Sequence, residues 1–351
     1  MESKSMLKTF LLTIVIVVAF MAAWELYIRG RGFSPTYNDD KVLWANKRRQ
    51  VYQSPDKATV FIGPSRIKFD LDIQLWKNLT GENAIQLALV GTSPRPLLRD
   101  LANDENFKGK LIVDAMEGAV FSPATFITEK SAIEALKYYE GETPAQRASA
   151  LLGFKLESSI AFLEEGKFGI SNLLNDLQLP NRPGVFAFPS MPHEFAVATI
   201  DRQTVMTPMF LTNPALIKRQ TECWMKLGAL NRAPGIKGDM LEAVFKEVKD
   251  AVDKIRARGG KVVFVRMPCS GTYLETETAV YPREQYWDPL LKYTNTPGIH
   301  FTDYPAIANF VCPEWSHLHP KDAITFTGEL VRILRDEKGW EFANKKTTAY
   351  K

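Results

Sequence analysis

The hydrophobic pattern changes character twice along the chain. Residues 9–28 are almost continuously apolar (T-F-L-L-T-I-V-I-V-V-A-F-M-A-A-W-E-L-Y-I), with Glu25 as the one charge near the end. As a helix this run would reach about 30 Å, the thickness of a bilayer's hydrocarbon core. Trp24 and Tyr27 fall where an aromatic belt would meet the far interface, with Lys4 and Lys8 before the run and Arg29 and Arg31 after it. The pattern predicts a leader over 1–8, a signal-anchor over 9–28 and an exported, single-pass membrane protein. A cleaved signal peptide is the alternative, but its best small-residue site, Val17-Val18-Ala19, lies inside the apolar run. No cysteine near the end of the run offers a lipoprotein site. Residues 29–55 are polar and irregular and read as a stalk with one helix around 41–52. The basic triplet Lys47-Arg48-Arg49 then reads as a solvated helix face or a lipid-headgroup contact.

Beyond residue 56, short apolar runs alternate with helical periodicity. The runs 58–62 (A-T-V-F-I), 84–90 (A-I-Q-L-A-L-V), 110–116 (K-L-I-V-D-A-M), 261–267 (K-V-V-F-V-R-M) and 299–302 read as strands. Helices are expected over 72–79, 94–102, 240–258 and 320–335. In the third of these, Leu241, Val244, Phe245, Val248, Val252 and Ile255 recur at helical spacing before Gly259-Gly260 stops the pattern. Near-continuous strands separated by helices predict a three-layer α/β domain with a parallel sheet of about five strands, flavodoxin-like in outline, over 56–117 and 233–337. The intervening 118–232 is an insertion between the third and fourth strands. Its Thr143-Pro144-Ala145-Gln146 resembles a capping box opening a helix towards Leu163, and 179–214 is rich in proline and aromatic residues without a period. This insertion is expected to be a helical cap beside the ligand crevice, or else a structural elaboration. The tail 338–351 reads as polar.

Composition narrows the function. The 351 residues are 45% hydrophobic and 24% charged, which suits a packed core and excludes disorder throughout or a multi-span membrane protein. A formal charge of +4 over this length gives no electrostatic case for nucleic acid. No phosphate-binding loop or dinucleotide fingerprint is present, so no organic cofactor is expected.

Two segments carry candidate chemistry. Phe61-Ile62-Gly63-Pro64-Ser65-Arg66 puts a serine on a tight turn after the first strand, with its hydroxyl at the mouth of the sheet. Cys312-Pro313-Glu314-Trp315-Ser316-His317-Leu318-His319-Pro320 sets a carboxylate three residues ahead of an imidazole, just before the last helix. On one loop the carboxylate can fix the histidine tautomer so that the other ring nitrogen accepts the serine proton. A third segment, L-A-L-V-G-T-S, places Gly91 after the second strand.

In this order the segments resemble the SGNH (GDSL-like) hydrolase superfamily, over roughly 58–116 and 235–335. The resemblance implies Ser65 as nucleophile, His317 as base, Glu314 as its orienting carboxylate, and the Ser65 and Gly91 N–H groups as oxyanion donors. It looks most like the diverged, membrane-anchored, exported branch related to enzymes that move acyl groups on envelope polysaccharides. The implied partners are the bilayer, through 9–28, and an acylated glycan or small ester. Two departures stand out: the carboxylate is Glu rather than Asp, and the family's G-x-N-D asparagine is replaced by Ala115-Met116-Glu117-Gly118. Losing one oxyanion donor costs about 100- to 1,000-fold in turnover. An inactive relative that binds a glycan or a protein is therefore the alternative.

The remaining candidates keep two readings each. Arg266 either clamps an anionic or sugar substrate or pairs with a carboxylate such as Glu117. Arg66 is a substrate contact or a surface charge, and Glu117 is a further substrate-binding candidate. Cys269 and Cys312 follow strands expected to be neighbours and either form a disulfide or stay free. His317 and His319 with Glu314 and Cys312 offer a zinc alternative, but no further spacing suggests ligands, and no metal is expected.

Overall fold

The computed structural model describes residues 2–123, 126–176, 190–230 and 235–344. The chain divides into two compact units. The larger is built from 39–142 and the described residues after 189, and it contains the sheet.

Strands β1 (Ala58–Ile62), β2 (Asn83–Gln86) and β3 (Lys110–Asp114) are followed by a short antiparallel pair, β4 (Ala196–Ala198) and β5 (Thr204–Met206). Strands β6 (Lys261–Arg266) and β7 (Gly298–His300) complete the set. The main sheet is all parallel in the order β2-β1-β3-β6-β7. Chain order therefore reverses between β1 and β3, the switch point at which open α/β sheets leave a crevice beyond their carboxyl ends.

Alternation along each strand feeds two separate cores. Val60 and Ile62 of β1, Leu111 and Val113 of β3, and Val262 and Phe264 of β6 join one cluster. Phe61, Ile112, Val263 and Val265 join the other. The first face is covered by the helices Arg95–Asn103 and Asp239–Ala257, and the second by Ile73–Thr80 and Pro320–Asp336. Burial on both faces explains why these strands read as unbroken apolar runs. Only β2 falls well short of its run: the chain leaves the sheet at Gln86, and 87–90 become loop.

Three expectations from the sequence change. Of the segment expected to be a stalk, 29–38 group with the N-terminal helix, whereas 39–55 fold into the larger unit, with the helix Lys41–Arg48 followed by a single 3-10 turn, Arg49–Tyr52. Trp44 is fully buried there, and its indole donates to the Leu87 carbonyl at 2.9 Å. The basic triplet is not a solvated face: Arg48 is buried and donates to Asp100 at 2.8 Å and Asp104 at 2.7 Å. The tail is apolar at its start, where Trp340 and Phe342 are buried and Phe342 meets Trp76 edge-on; residues 345–351 lie outside the described residues.

The stretch 118–232 is not one body. Residues 190–230 belong to the larger unit, whereas 143–176 group with the N-terminal helix. That smaller unit contains the helix Glu2–Gly30, whose residues 5–30 are long and apolar enough to cross a membrane. It also contains the helix Pro144–Glu157, opened by the Thr143–Gln146 capping box. This second helix stops at Glu157 rather than running to Leu163, and a 3-10 turn at Ala161–Leu163 follows. Part of the proline- and aromatic-rich stretch, 179–189, lies outside the described residues.

Candidate active site

The turn after β1 is forced tight by a close approach. A Cβ on Gly63 would stand 2.6 Å from the Asp114 Cβ, so only glycine lets β1 and β3 leave the sheet side by side here. Ser65 follows as the N-cap of the single-turn helix Arg66–Phe69, and its hydroxyl makes no capping bond. It is used elsewhere: Ser65 Oγ lies 2.8 Å from His317 Nε2.

His317 reaches this point from a loop with an unusual bend. Trp315 adopts φ +76°, a left-handed conformation that costs a non-glycine residue about 1 kcal/mol or more. Around this bend Glu314 folds back under the histidine. Its Oε1 accepts the His317 backbone N–H at 2.7 Å and lies 2.8 Å from Nδ1. With Nδ1 held as the donor to a carboxylate, Nε2 is left as the acceptor facing Ser65. Glu314 is fully buried. Its longer arm, compared with the expected Asp, reaches because both residues share one three-residue bend.

The bend itself is braced by the segment after β6. Ser270 Oγ accepts the Cys312 N–H, and Ser270 N–H donates to the Trp315 carbonyl, both at 2.9 Å. The brace is thus made by Ser270 and not by a Cys269–Cys312 bridge. Both cysteines are buried free thiols, and Cys269 Sγ instead faces Glu277 at 3.5 Å.

Ser65 and Phe69, four residues apart, lie on one helix face. The Phe69 ring stacks on the His317 imidazole with centroids 4.0 Å apart, and the following Asp70 accepts the Leu318 N–H at 2.8 Å. Burial pushes the Asp70 carboxyl well above its usual range. Phe195, which also stacks on Phe69, and Trp224 of the 190–230 segment lie beside the imidazole. The Trp224 indole N–H donates to Glu314 Oε2, so both oxygens of that carboxylate are occupied. Trp224, Phe69 and Asp70 escape a sequence reading. Trp224 lies in a helix about ninety residues from its partner, and the other two look like ordinary positions of a short amphipathic turn.

Gly91 sits in an exposed turn at φ +62°. The loop that carries it is tied to the Ser65 turn by a 2.9 Å bond from Leu89 N–H to the Gly63 carbonyl. Arg202 holds the same loop, donating to the carbonyls of Gln86 (2.8 Å) and Ala88 (3.1 Å). Among the described residues neither the Ser65 nor the Gly91 N–H donates to a backbone carbonyl.

The three residues expected at the substrate are engaged with one another or with Glu277. Arg66 is fully buried rather than a surface charge, and forks onto both oxygens of Glu277 at 2.9 and 2.7 Å. Arg266 donates to Glu117 at 2.6 Å and to Glu277 at 2.5 Å. Glu117 is therefore engaged by Arg266. Burial pushes the Glu277 carboxyl up, but the two guanidiniums outweigh it and hold it down at about 2. Asp114, at the end of β3, is the opposite case: burial raises it to about 7 against the pull of Arg66 and Arg266, and its Oδ2 meets no partner among the described residues. No signal in the sequence marked Glu277 as the hub of this network.

Among the described residues no three of His, Cys, Asp and Glu group as a metal centre would need. Both ring nitrogens of His317 are engaged, and His319 Nδ1 accepts the Lys321 N–H at the start of the last helix. No family model matches the chain, and no curated protein matches it.

Proposed function

We propose that the chain is a membrane-anchored, exported serine esterase or O-acyltransferase of the SGNH type, acting on an acylated glycan or small ester of the cell envelope. The observation that carries this reading is the unbroken chain from Ser65 Oγ through both nitrogens of His317 to Glu314, with each link at 2.8 Å. An N-cap serine whose hydroxyl ignores its own helix and meets an oriented imidazole is the arrangement that activates a nucleophile. Its place beyond β1, at the switch point of the sheet, is where such folds bind ligands.

In this mechanism Ser65 Oγ attacks the ester carbonyl carbon while His317 Nε2 takes its proton. The negative charge that develops on the carbonyl oxygen is met by the Ser65 and Gly91 N–H groups. Collapse breaks the ester C–O bond, and the alcohol leaves with the proton from Nε2, so that Ser65 carries the acyl group. Water or a sugar hydroxyl then gives its proton to Nε2 and attacks, yielding the acid or a new ester. Throughout, Glu314 holds Nδ1–H and stabilises the charged ring. With Glu117 in place of an asparagine, a third oxyanion donor is missing, and a turnover about 100- to 1,000-fold lower than with the full set is expected.

The Glu117–Arg266 pair also favours a second reading, a non-catalytic relative that binds a glycan or a protein partner. Fluorophosphonate labelling of the full chain in detergent micelles separates the two. Labelling lost in both Ser65→Ala and His317→Ala is the expected result. A folded wild-type chain that takes no label would refute catalysis and leave the binding reading.

A further inference from the structure

We propose that the 143–176 segment lies in the membrane surface, with Leu151, Leu152, Leu156, Ile170, Leu173 and Leu174 set into the headgroup–acyl boundary of the leaflet where the N-terminal helix ends. The proposal rests on that helix crossing a bilayer, for which its length and apolar composition speak.

The segment is tied to one level of the helix. Glu25, the single charge in the apolar run, accepts the backbone N–H groups of Ala161 (2.9 Å) and Phe162 (3.2 Å) and pairs with Arg29 at 2.6 Å. Arg29 in turn donates to the Ser159 carbonyl at 2.8 Å. Just past the helix, Phe33 meets Phe168 edge-on, and Asn38 binds both Glu157 and the Leu163 carbonyl at 3.0 Å. All these contacts fall on the last turns of the helix or on the chain leaving it. They fix the segment at the height where the apolar run gives way to polar sequence.

The segment's outward face continues that apolar surface. In the helix Pro144–Glu157, Ala150 is buried while Leu151, Leu152 and Leu156 are 53–70% exposed. In Ile170–Asp176, the residues Ile170, Leu173 and Leu174 recur at helical spacing on one face and are 37–78% exposed, opposite Ser171 and Asn172. Two short helices with apolar outer faces, fixed beside the end of a spanning helix, have the form of interfacial helices. The charges agree. Arg147 and Lys155 are exposed on the first helix, whereas its one acid, Glu157, is turned towards Asn38. On this helix Lys155 is left outward and suits lipid phosphates, its long stem able to reach up from the apolar level, while the exposed acid Glu165 lies farther along the segment.

The test is photo-crosslinking of the full chain in nanodiscs that contain a phospholipid with a diazirine on its acyl chain, mapped by mass spectrometry. The expected adducts fall on 151–156 and 170–174 as well as on 9–28, and drop severalfold in those two peptides in a Leu152→Ser/Leu174→Ser chain. Adducts confined to 9–28 overturn the surface proposal and leave the anchor standing. Adducts nowhere in the chain overturn both. Oxidative footprinting that finds the six side chains shielded without lipid adducts also overturns it, because a protein would then cover them.

Discussion

Replacing Glu314 by glutamine removes one charge and creates one hydrogen-bond conflict, and the two effects separate experimentally. In the native site Oε1 accepts two N–H groups of His317 and Oε2 accepts the Trp224 indole, so the carboxylate meets donors on every side. The carboxylate charge and that of the protonated ring, each delocalised, sit about 4 Å apart. At an effective dielectric near 20 their attraction is about 4 kcal/mol. Losing it from the state in which His317 holds the serine proton slows the reaction by roughly 1,000-fold. A glutamine amide must also point its NH2 either at the indole N–H or at His317, leaving a donor against a donor at a cost of about 1–3 kcal/mol in stability. Trp224→Phe in the same chain relieves that conflict but cannot return the charge. The assay is the second-order rate of fluorophosphonate labelling, with thermal melts in parallel. Glu314→Gln should show both losses, and the double variant should recover stability while labelling as slowly. Labelling of folded Glu314→Gln within about tenfold of wild type, little more than 1 kcal/mol, would refute the electrostatic role.

The other expectations follow from the buried charges. Trp224→Phe alone leaves one carboxylate oxygen buried and unpaired, and labelling should slow by roughly tenfold with a melting temperature lowered by a few degrees. Because Asp114 is raised to about 7 in the folded chain from an ordinary 3.8, the folded state holds a proton that the unfolded state releases. Its contribution is complete below pH 3.8 and is lost as pH rises to 7, at about 1.4 kcal/mol per pH unit. Melting scans from pH 5 to 7 should therefore fall more steeply for wild type than for Asp114→Asn; parallel curves would count against this assignment. Glu277→Gln leaves Arg66 without its forked partner and should cost about 3–5 kcal/mol, read as a lowered denaturant midpoint, whereas an unchanged midpoint would mean that water or Asp114 compensates.

The sheet was readable because its strands are buried on both faces, so each appears as a plain apolar run. Strand β2 was overread by four residues, since 87–90 form a loop in which Leu87 and Ala88 are buried, their carbonyls held by Trp44 and Arg202. Ser65, Glu314 and His317 were legible as residue types at local spacing, next to a strand end and before a helix. Arg66 was misjudged because a charge beside a turn gives no hint of a buried acid 211 positions away. The same holds for Lys47 and Arg48, whose basic run looks solvated until Asp201, Asp100 and Asp104 are brought to it. Local order is written in neighbouring letters; long-range ion pairs are not.

The single helical turn Arg66–Phe69 has Ser65 at its start, the ring that lies on the imidazole at its end, and then the carboxylate that grips Leu318. Three fixings of the histidine loop therefore refer to one small rigid piece rather than to the sheet behind it. If the sheet twists or its helices drift by a fraction of an ångström, Ser65, Phe69 and Asp70 travel together and carry the loop along. The spacing between Ser65 and His317 is set within a jig six residues long, so its tolerance does not grow with the size of the domain. Such a part can be lifted onto changed surroundings without being recalibrated.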